Sequence, residues 1–240
     1  MKILLTNDDG IHGEGIHALA SALKEAGHEI LIVAPSMNNS AVSHKLTMRE
    51  AIPIEKRSED SYAVGGTPAD CVLVALKYLK FLPELILSGI NMGMNVGSDV
   101  LYSGTVAGAL EGAQNGIPSI ALSQFLRNNS MDEVKMYFCR AAKYTAEHLE
   151  EWVVLARQTA ALNVNFPLGE PQGVRICRQA KTLYEMSYTA HEDGLHLTCR
   201  SPEEAGEGDI PLLKAGYITI TPLGLNMTDF DAIDRWGKGA

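Results

Sequence analysis

Lys2-Ile3-Leu4-Leu5-Thr6 runs straight into Asn7-Asp8-Asp9-Gly10. The first five residues read as a short buried strand, and two adjacent carboxylates stand where it ends. Like charges a few ångströms apart raise each other's pKa unless a cation lies between them. The chain must therefore fold so that the end of its first strand tolerates two acids. An acidic pair in that place points to a hard divalent ion such as Mg²⁺ or Mn²⁺. A second reading makes Asp-Asp-Gly a turn followed by a helix cap. The pair alone does not separate the two.

The rest of the chain alternates strand and helix. Ile16, Leu19, Leu23 and Ala26 repeat at helical spacing, with Gly27 as a stop. Residues 28–34 form a second strand closed by Pro35, and a polar loop follows over 35–48. Residues 49–64 read as a hairpin or excursion. Thr67-Pro68 opens a helix running to about Phe81, with proline in its first turn. Residues 84–88 are a short apolar strand, then a glycine-rich loop runs from Gly89 to Gly104. An Ala/Gly-rich helix to Asn115 and a strand over 118–123 come next. Ser130-Met131-Asp132-Glu133 is a capping-box pattern opening a long helix. Strands are expected at 161–166 and 217–223. Such alternation predicts an α/β fold with a mainly parallel, doubly wound sheet. Composition shifts at Pro167-Leu168-Gly169-Glu170-Pro171, so residues 170–215, with strand candidates at 174–178 and 196–199, read as an arm outside the core.

Sites in open α/β sheets lie beyond the carboxyl ends of strands, where strand order reverses. Three loops leave such ends. They carry Asp8 and Asp9; Asn38, Asn39, Ser40 and Ser43; and Asn91 and Asn95. All offer hard oxygen donors, which suits Mg²⁺ or Mn²⁺. Asn91 or Ser40 alone is adequately explained by loop hydrogen bonding; the convergence of three loops is what points to a metal. Tyr102-Ser103-Gly104-Thr105 opens a helix whose free N–H groups suit a phosphate, although Ser103 or Thr105 also serves as a plain N-cap. Gly108 and Gly112 read as close packing against the sheet. His12 and His17 lie near the acidic pair, but exposed helix positions explain them equally. No nucleophile elbow and no phosphate-binding P-loop occurs.

A net charge of −9 argues against a nucleic-acid polymer as partner. No apolar run reaches membrane-spanning length. With no signal-peptide pattern and four widely spaced cysteines, Cys71, Cys139, Cys177 and Cys199, the expectation is a cytoplasmic protein with reduced thiols and no zinc site.

The sequence closely resembles the SurE (survival protein E) family of metal-dependent nucleotidases. The resemblance rests on TNDDG (6–10), VAPSMNNSAVSHKLT (33–47), GTPADC (66–71), SGINMGMNVG (88–97), DVLYSGTV (99–106), Glu111-Gly112, GIPSIA (116–121) and GYITITPL (216–223), in family order across nearly the whole chain. It implies one SurE-like domain over 1–240, with a Rossmann-like, three-layer, mostly parallel core (about 1–166 and 216–223). It also implies a β-rich arm, about 170–215, exchanged between subunits in homodimers or homotetramers. The implied activity is removal of phosphate from nucleoside 5′- and 3′-monophosphates, with polyphosphate trimming in some members. The implied metal ligands for one divalent cation per subunit are Asp8, Asp9, Ser40 and Asn91, with Asp8 and Asp9 as the catalytic acids. The implied phosphate contacts are Asn95, Ser103, Gly104 and Thr105.

One departure stands out. The family usually has arginine before the ligand serine, where this chain has Asn39, and Ala41-Val42-Ser43 replaces a nearby glycine. Loss of the arginine removes a phosphate clamp, and Lys45 is the nearest substitute in sequence. The expected reaction is hydrolysis by a metal-activated water with Asp9 taking the proton, or attack by Asp8 through an aspartyl-phosphate. A phospho-receiver module is the rival signalling reading, but Asn91 cannot form an acyl-phosphate. A non-catalytic nucleotide-binding protein using the same loops is the third.

Overall fold

The computed structural model describes residues 1–181, 185–191, 193–200 and 207–237. Strand β1 (Lys2–Thr6) leads to helix α1 (Glu14–Glu25) and strand β2 (Glu29–Pro35). Strands β3 (Ile54–Ser58) and β4 (Ser61–Val64) form the expected hairpin. Helix α2 (Pro68–Leu73) passes into a π-helical turn over Val74–Tyr78 and stops short of Phe81. Then come β5 (Leu85–Met92), a 3₁₀ turn over Gly97–Leu101, α3 (Gly104–Gln114), β6 (Ser119–Gln124), α4 (Met131–Ala156) and β7 (Ala161–Phe166). The C-terminal third holds β8 (Val174–Ile176), β9 (Glu185–His191), β10 (Gly194–Arg200), α5 (Asp209–Lys214), β11 (Ile218–Leu223) and α6 (Phe230–Gly237).

Among the described residues nine strands make one sheet, ordered β3-β4-β2-β1-β5-β6-β7-β11-β8. Pairing is parallel except at β3–β4 and β7–β11. Alternation along β1 sends Ile3 and Leu5 to one face and Leu4 to the other. Ile3 and Leu5 join a core built with Ile16, Leu19 and Leu23 of α1 and Phe138 and Trp152 of α4. Leu4 packs with Val33, Cys71 and Val72 beneath α2, and Val106 and Ala109 of α3 pack on Ala121 and Ala161. Each such leucine, isoleucine, valine or phenylalanine side chain, fully buried, contributes roughly 1.5–3 kcal/mol. The result is three layers: α1 and α4, the sheet, and α2 and α3.

Local signals set the helix ends. Ser130 Oγ accepts the Glu133 N–H while the Glu133 carboxylate accepts the Ser130 N–H at 2.7 Å, and Thr67 with Asp70 repeats the arrangement at α2. Gly112 does pack closely: a Cβ there would stand 2.3 Å from Ser119 Oγ.

Besides the early end of α2, the structure differs from the expectation in three places. β5 does not end at Ser88 but continues through Asn91 and Met92, which pair with Ser123 and Gln124 after a register shift. Strands in this segment were expected at 174–178 and 196–199, yet a further strand, β9, pairs with β10 along its whole length. β8 joins the main sheet beside β11, so the segment after Pro171 is fastened to the core edge. Part of the expected arm, residues 182–184, 192 and 201–206, lies outside the described residues. No helix among the described residues is long and apolar enough to cross a membrane.

Candidate active site

β1 has β2 on one side and β5 on the other, so strand order reverses at β1. The carboxyl ends of these three strands open on a polar cleft of about 270 Å³, whose lining includes Asp8, Ser40, Asn91, Asn95, Asp99 and Ser103.

Asp8 is only 4 % exposed. Its carboxylate accepts the Thr105 backbone N–H at 3.0 Å and also the Thr105 hydroxyl. Thr105 lies in the first turn of α3, and Ser103 caps that helix by accepting the Val106 N–H at 3.0 Å. The positive end of α3 is thus turned on Asp8. Gly104 makes this approach possible, since a Cβ there would stand 2.9 Å from the Asp8 Cβ. Burial raises the Asp8 pKa, and the Thr105 hydrogen bonds oppose that rise. Asp9 accepts the Met92 N–H at 3.0 Å. Its pKa is pushed up to about 6, first by burial and then by the charge of Asp8. No basic side chain among the described residues pairs with either acid.

The second loop is tied to both neighbours. Asn39 N–H donates to the Asp8 carbonyl at 2.7 Å, and Ser43 donates its N–H to Tyr102 and its hydroxyl to Leu101. Ser40, at the rim of the cleft, has its own N–H held by Asn38 Oδ1 at 2.8 Å. Asn91 Nδ2 donates to the Gly93 carbonyl at 2.9 Å, which leaves the amide oxygen for a ligand. Asn95 Nδ2 donates to Ser123 Oγ at 2.8 Å.

A family model described as Survival protein SurE matches residues 3–186. The chain belongs to the SurE family. It is 40% identical to "5'-nucleotidase SurE" of Desulfovibrio desulfuricans, with 97% of this chain and 96% of that protein covered. It is also 40% identical to "5'-nucleotidase SurE" of Campylobacter lari, over 99% of this chain and 98% of that one. The crystal structure of the SurE protein from Aquifex aeolicus superposes with a TM-score of 0.84 at 37% identity, covering 98% of both chains. The SurE fold, a Rossmann-like α/β core with a β-rich C-terminal region, is the fold of this chain.

SurE proteins generally use a divalent metal. No group of three His, Cys, Asp or Glu side chains among the described residues is arranged for one. The oxygen donors here fit such an ion by another route: buried Asp8 and half-buried Asp9, neither with a basic partner, beside a hydroxyl and an amide. Of the four residues expected at the phosphate, Asn95 and Ser103 line the cleft. Gly104 packs on Asp8 and Thr105 bonds to it. Lys45 is absent from the cleft and lines a separate hollow with residues 46–50. Asn39 turns its amide back to the Met37 carbonyl at 3.0 Å. His17 is held by the Ile11 carbonyl at 2.8 Å, which accounts for it structurally.

Sequence reading missed Asn163 and Asn165. Asn165 accepts the Asn95 N–H at 2.8 Å, and both asparagines donate to the Asn95 carbonyl, at 2.7 and 3.1 Å. They clamp the loop that brings Asn95 to the cleft. Two buried amides alternating in an otherwise apolar strand were the available signal.

Proposed function

We propose that this SurE protein is a phosphomonoesterase of the 5′-nucleotidase type, cleaving nucleoside 5′- and 3′-monophosphates to nucleoside and phosphate, with polyphosphate as a further substrate. The observation that carries the reading is the meeting of Asp8, Ser40, Asn91, Asn95 and Ser103 in one cleft at the strand-order switch. Asp8, Asp9, Ser40 and Asn91 hold one Mg²⁺ or Mn²⁺ ion per subunit, with Ser40 and Asn91 as neutral donors. When bound, such an ion neutralises phosphate charge and lowers the pKa of an attacking water.

The protein's own groups do the rest. Asp9 takes the proton that the water loses. Both Asp8 oxygens already accept a Thr105 hydrogen, which weakens Asp8 as a nucleophile and favours attack by water. Asn95, with one amide hydrogen left after its bond to Ser123, and Ser103 face the phosphate oxygens. Gly104 and Thr105 keep Asp8 in place.

The chain is read as one SurE-like domain whose C-terminal arm makes a homodimer or homotetramer. Met186, Tyr188, Leu195 and Leu197 of the β9–β10 ribbon are exposed apolar side chains, which supports a partner there. Phosphate release from AMP, GMP, 3′-AMP and polyphosphate, each with Mg²⁺, Mn²⁺ or chelator, tests the activity. Undiminished release in excess chelator by metal-free protein would remove the cation from the reading.

A further inference from the structure

Asp209 is completely buried, and it stands outside the strand-end cleft. It opens α5, 112 positions after Gly97 in the chain. A buried carboxylate is costly unless hydrogen bonds replace its water. Here backbone N–H groups do so. Ala180 donates to Oδ1 at 2.9 Å, and the Gly97 nitrogen lies 3.1 Å from Oδ2 and 3.3 Å from Oδ1. The Asp209 N–H in turn donates to the Arg178 carbonyl at 3.0 Å, so residues 178–180 and the start of α5 are locked together. Gly208 lets them come this close, since a Cβ there would stand 2.8 Å from both the Arg178 carbonyl oxygen and the Ala180 nitrogen.

Gln179 completes the grip. Its Nε2 donates to the Gly97 carbonyl at 2.6 Å, so both backbone polar groups of Gly97 are held by the C-terminal segment. Gly97 stands between Asn95 and Ser103, which both line the cleft. On one side of it Val96 is buried with Ala180, Ile210 and Leu213. On the other, the 3₁₀ turn Gly97–Leu101 leads to Ser103, whose N–H donates to the Asp99 carbonyl at 3.0 Å. An apolar side chain would fill the place of Asp209 without desolvating a charge. What the carboxylate adds is a fixed place for the Gly97 N–H, because fully satisfied buried polar groups specify one geometry.

We propose that Asp209 and Gln179 are positioning residues for the phosphate side of the site: they hold the Gly97 backbone and so set where Asn95 and Ser103 stand against the phosphate oxygens. This rests on the phosphomonoesterase reading above. The expected ligands of the ion, Asp8, Asp9, Ser40 and Asn91, lie on other segments, so phosphate contacts and cation contacts separate in a test.

Three quantities are measured: the Kd of inorganic phosphate by calorimetry in saturating Mn²⁺, KM and kcat for AMP, and apparent Mn²⁺ affinity from the cation-induced rise in Tm. Asp209→Asn keeps the shape but turns an amide NH₂ on one of the backbone donors. Phosphate Kd and KM are expected to rise about tenfold, with kcat lowered less than KM is raised and Mn²⁺ affinity within about twofold of the parent. Gln179→Ala, at a half-buried side chain, removes only the bond to the Gly97 carbonyl, and phosphate Kd is expected to rise about two- to fivefold. A merely structural role would lower Tm and leave phosphate Kd unchanged well below Tm. Parental phosphate Kd in Gln179→Ala overturns the proposal, and a failure of Asp209→Asn to fold does not rescue it. An equal loss of Mn²⁺ and phosphate affinity also overturns it, since the whole site would then have loosened. A parent protein that binds phosphate but leaves AMP intact overturns the phosphomonoesterase reading instead, while the phosphate Kd of the variants still decides the role of Asp209 and Gln179.

Discussion

Thr105 gives both its backbone N–H and its hydroxyl to the carboxylate of Asp8, a residue 97 positions earlier in the chain. The bond ties the start of α3 to the end of β1 and sets how Asp8 meets the cleft. Thr105→Val keeps the shape and removes the hydroxyl. Groups that orient metal ligands typically set about 10–100-fold in affinity. Apparent Mn²⁺ affinity, read from the cation-induced rise in Tm, is expected to drop about tenfold. Unchanged affinity in the folded variant would reduce Thr105 to a packing residue.

Asp9 links stability to pH. Its folded pKa of about 6 lies above the ordinary carboxylate value of 3.8. The folded state therefore holds its proton longer than the unfolded state. That contribution is full below the unfolded pKa and is lost as pH rises through about 6. In chelator, Asp9→Asn should melt above the parent at pH 8 and close to it at low pH. Its turnover with cation should fall at least about 10²-fold. Parallel melting curves at both pH values would argue against the raised pKa of this acid.

The asparagine clamp is open to a separate test. Asn165→Ala removes the acceptor of the Asn95 N–H and one donor to its carbonyl. Two buried hydrogen bonds lost this way cost about 2–3 kcal/mol. Urea unfolding should register that loss, and KM for AMP should rise several-fold because Asn95 is no longer held. A destabilised variant with parental KM would detach Asn95 from substrate binding.

Asn39 occupies the place where the family resemblance leads one to expect arginine. Its amide donates to the Met37 carbonyl at 3.0 Å. Asn39→Arg is expected to lower KM for AMP by up to about tenfold, since a charge-assisted contact contributes about 1.5 kcal/mol. The gain should shrink with added salt. Lys45→Ala should leave KM alone, because Lys45 faces another hollow. If the arginine variant shows no gain at any ionic strength, this loop does not reach the phosphate.

The ribbon prediction concerns assembly. Tyr188 and Leu197 stand directly opposite each other on β9 and β10, and both are exposed. Tyr188→Glu together with Leu197→Glu should shift light scattering toward the monomer mass. An unaltered mass would place the subunit contact elsewhere.

Much of the core was legible because it is encoded locally. The continuous apolar run of β1, the 3.6-residue repeat of Ile16, Leu19 and Leu23, and the Ser130–Glu133 capping box each depend on neighbours a few residues apart. The acid pair at the end of β1 was equally plain, since its cost follows from adjacency alone.

What the sequence by itself determined is therefore the order of the elements and the cluster of oxygen donors at three strand ends. Only the tertiary structure decided where those donors go and what holds them. That Thr105 bonds to Asp8, that Asn163 and Asn165 grip Asn95, and that β5 runs on to Met92 all depend on partners about 30 to 100 residues away in the chain. Such contacts leave no periodic mark, because each is a single meeting of two groups that only the closed sheet brings together.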